Sequence, residues 1–384
     1  MNSKHKLGVY IHIPFCVRKC TYCDFLSFPA SRDAQQAYFH ALRDEIAGFE
    51  RAKDYEVVSV YFGGGTPSLP SFWEIAKTLD AVFHIFSVSQ AAEITIECNP
   101  GTMEEGKLRD YKRAGINRLS IGLQSADNAL LETLGRIHTW ETFRDEYLKA
   151  RGAGFDNISV DLMYGLPGQT VSCWEDTLEK VMALKPEHLS AYSLIIEEGT
   201  PFWERYHEDD RIKKLGEKPL FLPSEEEEDR MLELLKQTVR KNDMYRYEIS
   251  NYARPGRESR HNTGYWLRRE YAGFGLGASG QIGKLRYRNS SLMEEYQQGG
   301  NRREEEITLT RQDEISETMI LGLRLTEGVD LGRFEETFSM RAEDLFSEEI
   351  EEYRRAGLLE ICDQHLRLTD RGFDVSNLVM SSFV

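Results

Sequence analysis

From Gly8 to Phe15 the chain reads "GVYIHIPF", with Val9, Ile11 and Ile13 on one face and Tyr10 and His12 on the other. Alternation of period two marks a strand. The theme recurs. "VVSVYFGGGTPS", "EITIECNP", "RLSIGLQS", "NISVDLMYGLPGQT" and "HLSAYSLII" each read as an apolar or alternating strand that runs into a polar or glycine-rich turn. Helical spacing fills the gaps between them. Ser31 is placed to cap a helix whose apolar positions Ala34, Tyr38, Ala41, Leu42 and Phe49 recur at helical intervals. "EEGKLRDYKRAG" and "WETFRDEYLKARGAG" are helical and close on glycine. Six strand–helix units predict an α/β fold with a parallel sheet and right-handed crossovers. An open doubly wound sheet and a barrel or partial barrel both satisfy the pattern. In either, chemistry collects at the carboxyl ends of the strands. The cysteine-bearing loop after the first strand, the triple glycine, Glu97, Gln124 and Asp161 all fall there.

After Pro201 the pattern changes. Residues 203–223 are polar and irregular and read as a long surface connection. "SEEEEDRMLELLKQTVRKN" reads as a helix, with Ser224 and Glu227 spaced as a capping box and acids crowding the first turn. "YRYEISNYARPG", "HNTGYW" and the glycine-rich "GFGLGASGQIG" follow. From about Ile307, "RQDEISETMILGLRL" and "RAEDLFSEEIEEYRRAG" read as amphipathic helices, and "LLEICDQHLRLTDRGFDVSN" as a tight hairpin with a terminal helix. The expected organisation is a first unit over 1–200, a connecting region over 201–306 packing on it, and a small, mainly helical, winged-helix-like module over 307–384. That module is acidic, so it reads as a packing or protein-contact unit rather than a DNA reader.

Composition narrows the function. The chain has 384 residues, 40% hydrophobic and 29% charged, with a net charge of −16. Such a surface repels nucleic acid and anionic lipid at long range. No run of about 18 apolar residues is present, so no transmembrane helix is expected. The opening "MNSKHKLGVYIHIPF" lacks the apolar core and cleavage site of a secretory signal. The expected location is the cytoplasm, where thiols stay reduced; a peripheral station at the inner membrane face is compatible with this. Cys98, Cys173 and Cys362 are scattered singly and read as small buried hydrophobes.

The other three cysteines, Cys16, Cys20 and Cys23, share one loop, "CVRKCTYCDF". Structural zinc usually needs a second paired knuckle or nearby histidines, and a redox pair needs only two thiols. Three thiolates on one short loop suit three corners of an iron–sulfur cube. Phe25 stands where a fourth could continue the run, which leaves one iron open for another ligand.

C-x3-C-x2-C is the hallmark of the radical SAM enzymes, and the chain resembles that family. The resemblance implies a partial (β/α)6 barrel over roughly residues 1–200. It also implies a [4Fe–4S] cluster on Cys16, Cys20 and Cys23, with S-adenosylmethionine chelating the open iron through its amino and carboxylate groups. Tyr22 matches the position that packs near the adenine, Gly64, Gly65 and Thr66 of "GGGTP" the segment that binds the methionine amino group, and Glu97 a carboxylate for the ribose hydroxyls. Tyr10, Gln124, Arg136 and Asp161 match further cofactor contacts.

"VYIHIPFC", "GGGTPS", "GLPGQT" and "YEISNYA" narrow the resemblance to the oxygen-independent coproporphyrinogen III oxidase group, which holds both the HemN oxidases and the HemW heme chaperones. HemN carries a further cysteine where this chain has Phe25, and a long segment before the first strand, which is expected to be missing here. Both departures argue against coproporphyrinogen decarboxylation. "HNTGYW" (His261 to Trp266) matches the H-N-x-x-Y-W heme motif of the chaperones. His261 is then either an axial ligand of heme or the residue that orders its loop. Arg254, Arg257 and Arg260 are candidates for the propionates. The resemblance implies a heme chaperone that delivers heme to acceptor hemoproteins, respiratory ones for example, with an electron donor left open and a homodimer admissible. The competing reading is a radical enzyme that decarboxylates a porphyrin-type substrate.

Overall fold

The computed structural model describes residues 4–299 and 303–384. Six parallel strands lie side by side in chain order: β1 (His5–Ile13), β2 (Tyr55–Gly64), β3 (Ser87–Cys98), β4 (Arg118–Gln124), β5 (Ile158–Tyr164) and β6 (His188–Ser193). Helices return the chain between them: α1 (Arg32–Ala47), α2 (Phe72–Ile85), α3 (Glu105–Arg113), the pair α4 (Asn128–Thr133) and α5 (Trp140–Gly152), and α6 (Val171–Ala183). The local signals act as read. Ser31 caps α1 by accepting from the Ala34 N–H at 3.3 Å. Beyond α3 and α5 the chain turns through Gly115 and Gly154, both at positive φ.

The sheet does not close into a barrel. β7 (Tyr245–Arg246) and β8 (Asn251–Ala253) extend it past β6. At the other edge β9 (Tyr271–Phe274) pairs parallel to β1 and leads to β10 (Ser279–Ile282), β11 (Leu285–Asn289) and β12 (Arg303–Thr308). The region after residue 201 therefore supplies strands to both edges of the first unit. Val9, Ile11 and Ile13 are fully buried under the helices. The opposite face of the sheet is also buried but polar, with Ser59, Glu93, Arg118, Ser120 and His188. A sheet covered on both sides ordinarily has two apolar faces; here the inner face lines a cavity.

Residues 203–214 are not irregular. They belong to α7 (Pro201–Lys214), which precedes α8 (Glu225–Lys241). Thr200 caps α7 by accepting from the Trp203 N–H at 3.2 Å, and Pro201 sits in its first turn. Only Phe202 and Asp209 of this helix are buried, so it lacks the apolar stripe that reveals a helix. Asp209 then holds the following connection by accepting from the Leu220 and Leu222 N–H groups at 3.0 and 2.8 Å. The capping box of Ser224 and Glu227 forms as expected.

Between β8 and β9 stands α9 (Arg260–Trp266), and α10 (Met293–Gly299) follows β11. A second hydrophobic core, from Ile315 to Phe383, organises the last region. It contains α11 (Arg311–Gly322), β13 (Val329–Asp330), α12 (Leu331–Phe338), α13 (Ala342–Leu345), α14 (Ser347–Arg355), β14 (Leu359–Cys362) and β15 (His365–Leu368). Residues 342–355 form two helices rather than one, broken where Phe346 turns into the core. The hairpin turns through Asp363 and Gln364, both at positive φ, and the small sheet runs β13–β15–β14.

Candidate functional site

The cysteine loop leaves the carboxyl end of β1 and is tied down at several points. The Cys16 N–H donates to Phe28 O at 3.1 Å, Thr21 N–H to Leu134 O at 3.2 Å, and Phe202 N–H to Thr21 O at 3.0 Å. Arg18 donates to Gly135 O at 2.7 Å. α4 and α7 thus hold the loop from outside. Cys16, Cys20 and Cys23 are unpaired, half-buried thiols that line one cavity of about 360 Å³. The Cys16 Sγ lies 3.5 Å from Thr66 Oγ1, and Arg136 Nη1 lies 3.7 Å from Cys20 Sγ. Phe25 lines the mouth and is 62% exposed.

The cavity walls come from the strand ends. Gly65 has to be a glycine: a Cβ there would stand 2.9 Å from Phe15 O and 3.0 Å from Cys16 Sγ. A Cβ on Gly64, at φ +115°, would enter the His12 ring at 2.6 Å. Glu97 accepts from Tyr61 OH at 2.8 Å and from the Gly64 N–H at 3.0 Å. Gln124 ends β4 in a left-handed conformation, φ 71°, which a non-glycine residue adopts at some cost and which aims its side chain. Arg136 donates to Asn99 Oδ1 at 2.7 Å and to Gly122 O at 2.6 Å. Asp161 accepts from Ser120 and Ser159 hydroxyls at 3.1 and 3.2 Å.

Burial dominates the electrostatics. It holds the Glu97 carboxyl up at about 7, with Asp161 adding to the rise and Tyr61, Gly64 and Arg118 opposing it. Asp161 is pushed up by burial, against hydrogen bonds from its serines and the charge of Arg118. Burial also raises the Cys23 thiol, with Cys20 and Cys16 adding to the rise and the Phe25 backbone and Lys19 opposing it.

Of the residues singled out in the sequence, Cys16, Cys20, Tyr22, Cys23, Gly64, Gly65, Thr66, Glu97, Gln124, Arg136 and Asp161 share this cavity. Tyr10 and His261 do not line it. They sit beneath, where α9 plugs the amino-terminal mouth of the half-barrel. Glu93 accepts from the Arg260 and His261 N–H groups, both at 3.1 Å, and so fixes the start of the helix. His261 Nδ1 pairs with Ser59 Oγ at 3.0 Å and Nε2 with Tyr265 OH at 2.9 Å. Its ring stacks on Tyr61, centroids 5.0 Å apart, with Tyr10 beyond. The residue is buried, and burial lowers its pKa to about 3. Both ring nitrogens of His261 lie within hydrogen-bond distance of hydroxyl groups, and the one to Ser59 ties α9 to β2. "HNTGYW" is a helix, not a loop.

Arg254, Arg257 and Arg260 lie outside the cavity, bonded to Pro186 O, Asp156 and Ala91 O. Arg260 instead borders a second cavity of about 610 Å³ against the outer side of α9, where Lys6 and Arg269 face Glu56, Glu258 and Glu327. Cys98 is buried, whereas Cys173 and Cys362 are only half-buried. Asn99, Arg118, Ser120 and Gly122 also line the first cavity and were not singled out in the sequence, and Asn262 of the "HNTGYW" motif reaches it as well. For Ser120 and Gly122 the inward alternation of β4 was a usable signal.

The radical SAM superfamily profile matches residues 10–181, and the profile of the HemN C-terminal domain matches residues 309–375. The heme chaperone HemW of Lactococcus lactis is 36% identical over 379 residues, covering 98% of this chain and 97% of its own length. HemW of Bacillus subtilis is 35% identical, with coverages of 98% and 99%. The chain belongs to the HemW family of radical SAM proteins. HemW of Escherichia coli, at 32% identity with coverages of 98% and 98%, agrees. In fold, the chain superposes on the coproporphyrinogen III oxidase HemN of Escherichia coli with a TM-score of 0.83 and 24% identity, covering 99% of this chain and 90% of that one.

The radical SAM family implies a [4Fe–4S] cluster and S-adenosylmethionine, and the residues of this cavity fit both. Among the described residues no three Cys, His, Asp or Glu side chains converge where one metal ion could sit. Cys16, Cys20 and Cys23 nevertheless line one cavity, and a cluster of the family's type would take its three protein ligands from them. Gly65 leaves the space beside Cys16 that a Cβ would fill. The Glu97 carboxylate and Arg136 supply acceptor and cation within the same cavity. No helix among the described residues is long and apolar enough to cross a membrane.

Proposed function

We propose that this chain is a cytoplasmic heme chaperone. It holds a [4Fe–4S] cluster on Cys16, Cys20 and Cys23, binds S-adenosylmethionine beneath it, and delivers heme to acceptor hemoproteins. The observation that carries the reading is Phe25. It faces the cavity mouth where the oxidases place a further cysteine, in a chain that matches HemW proteins from end to end.

A cluster held by Cys16, Cys20 and Cys23 would supply the single electron that reduces the sulfonium of the cosubstrate. The chain's own residues position and shield. Tyr22 packs the base, Gly64 and Gly65 admit the methionine end, and the Glu97 carboxylate accepts from the ribose hydroxyls. Gln124, Arg136 and Asp161 complete the wall. His261, with both nitrogens engaged, keeps α9 seated and the barrel closed from below. The heme iron then takes its protein ligand, if any, from elsewhere.

The test is anaerobic. Reconstituted protein with reductant and S-adenosylmethionine receives coproporphyrinogen III in one sample and heme in a matched one. 5′-Deoxyadenosine, tetrapyrrole products and the heme spectrum are followed together. The chaperone reading expects stoichiometric heme binding, transfer to an apo-hemoprotein and no decarboxylation. Protoporphyrinogen formed in step with 5′-deoxyadenosine would make the chain an oxidase instead.

A further inference from the structure

Below the cofactor residues the cavity continues to a floor that the reading above does not use. Arg118 opens β4, and Arg118, Ser120 and Gly122 face inward in alternation. The arginine therefore stands two inward positions below Gly122, whose carbonyl receives Arg136. Arg118 lines the cavity yet is only 2% exposed. Its Nε is buried with no partner, and its guanidinium forms no ion pair or hydrogen bond among the described residues. From the other side Asn262 of α9 reaches the same cavity. Its backbone N–H bonds Ser259, and its carboxamide is left without a partner among the described residues.

A buried guanidinium without a hydrogen-bond partner is costly to desolvate, and the attraction of Glu97 and Asp161 does not replace the missing hydrogen bonds. The acids in reach are committed: Glu97 to Tyr61 and Gly64, Asp161 to Ser120 and Ser159. What remains is a planar fork of donors with an amide beside it, the geometry that matches a carboxylate. We propose that Arg118 and Asn262 form a carboxylate-binding floor beneath the cofactor, reached by a propionate arm of the tetrapyrrole. In this arrangement the Asn of "HNTGYW" meets the ligand while the His seats the helix. The proposal rests on the chaperone reading for its tetrapyrrole. The cosubstrate also carries a carboxylate; the radical SAM resemblance implies that this one lies on the open iron.

The test compares the reconstituted wild type with Arg118→Met, Arg118→Lys and Asn262→Ala. Four probes are titrated: heme, heme dimethyl ester, S-adenosylmethionine and decarboxylated S-adenosylmethionine. Arg118→Met is expected to fold: it leaves no hydrogen bond unmade, and the relief of a buried charge offsets the lost attraction to Glu97 and Asp161. Its heme affinity is expected to fall by roughly 10- to 100-fold, the range for a lost charged hydrogen bond. Binding of the dimethyl ester stays as in wild type, Lys restores part of the loss, and Asn262→Ala shows a smaller loss of the same kind. A loss confined to S-adenosylmethionine and absent for its decarboxylated form would keep the carboxylate floor and change its occupant. Unchanged affinity for both carboxylate probes, or equal losses with and without the carboxylate, would overturn it. So would a Met variant that fails to fold while Asn262→Ala binds all four probes normally. Wild-type protein that binds no heme would sink the chaperone reading alone, and the S-adenosylmethionine pair would then decide this one.

Discussion

Glu97 ties the stability of this protein to its cofactor site, and the two respond to pH in opposite directions. Its carboxyl is held at about 7 by burial, against an ordinary value near 4.5. Between those values the native state binds one proton more than the unfolded chain, so the free energy of unfolding falls as pH rises. The contribution is fully present below about 4.5 and lost as pH passes about 7; it amounts to roughly 3 kcal/mol. Glu97→Gln carries no charge at any pH and removes this slope. S-Adenosylmethionine acts in the other sense. Ribose hydroxyls are donors and need the ionised carboxylate, so stabilisation by the cosubstrate grows in wild type as pH passes 7 and stays small and flat in the Gln variant. The assay is guanidinium unfolding of both proteins from about pH 5 to about pH 8, with and without S-adenosylmethionine. Glu45, also held near 7 by burial, contributes equally to both proteins and cancels in the difference. A wild-type-minus-variant difference that does not change with pH would refute the argument.

Gly122→Ala places a Cβ 2.9 Å from Asn99 Oδ1 and 3.0 Å from Gln124 Nε2, displacing both and the Arg136 they adjoin. Affinity for S-adenosylmethionine should drop roughly tenfold or more by equilibrium dialysis, since about 1.4 kcal/mol suffices for that; normal binding would show that those side chains do not contact it. His261→Ala removes two buried hydrogen bonds and the stack on Tyr61, and should cost roughly 3 kcal/mol of stability. The heme spectrum should keep its axial signature, and a lost or shifted Soret band would return the histidine to the iron.

The chain's own pattern was enough to read the six strands, their parallel pairing, the helix caps at Ser31 and Ser224 and the cysteine loop, while the order of the strands came from the structure. Each of those signals is local: alternation within one strand, a cap three residues from its donor, three thiols on one turn. Helix α7 escaped because its buried side is only Phe202 and Asp209, so no apolar periodicity marks it. Most of the cavity wall was legible because the cysteine loop, the triple glycine, Glu97 and Gln124 sit at or just past strand ends, where a parallel sheet gathers chemistry; Arg136 reaches it from beyond α4. The base of the barrel was not. His261 meets Ser59 across 202 residues of sequence, and the six letters of the motif form a helix whose histidine stacks on Tyr61. Arg118 heads the strand "RLSIGLQS" and carries no local signal of its own; only the tertiary structure buries it and leaves its Nε without a hydrogen-bond partner. Local order follows from neighbouring residues. Whether a polar group is spent on the fold or left free for a ligand depends on what the distant chain brings against it, and the tertiary structure alone decides that.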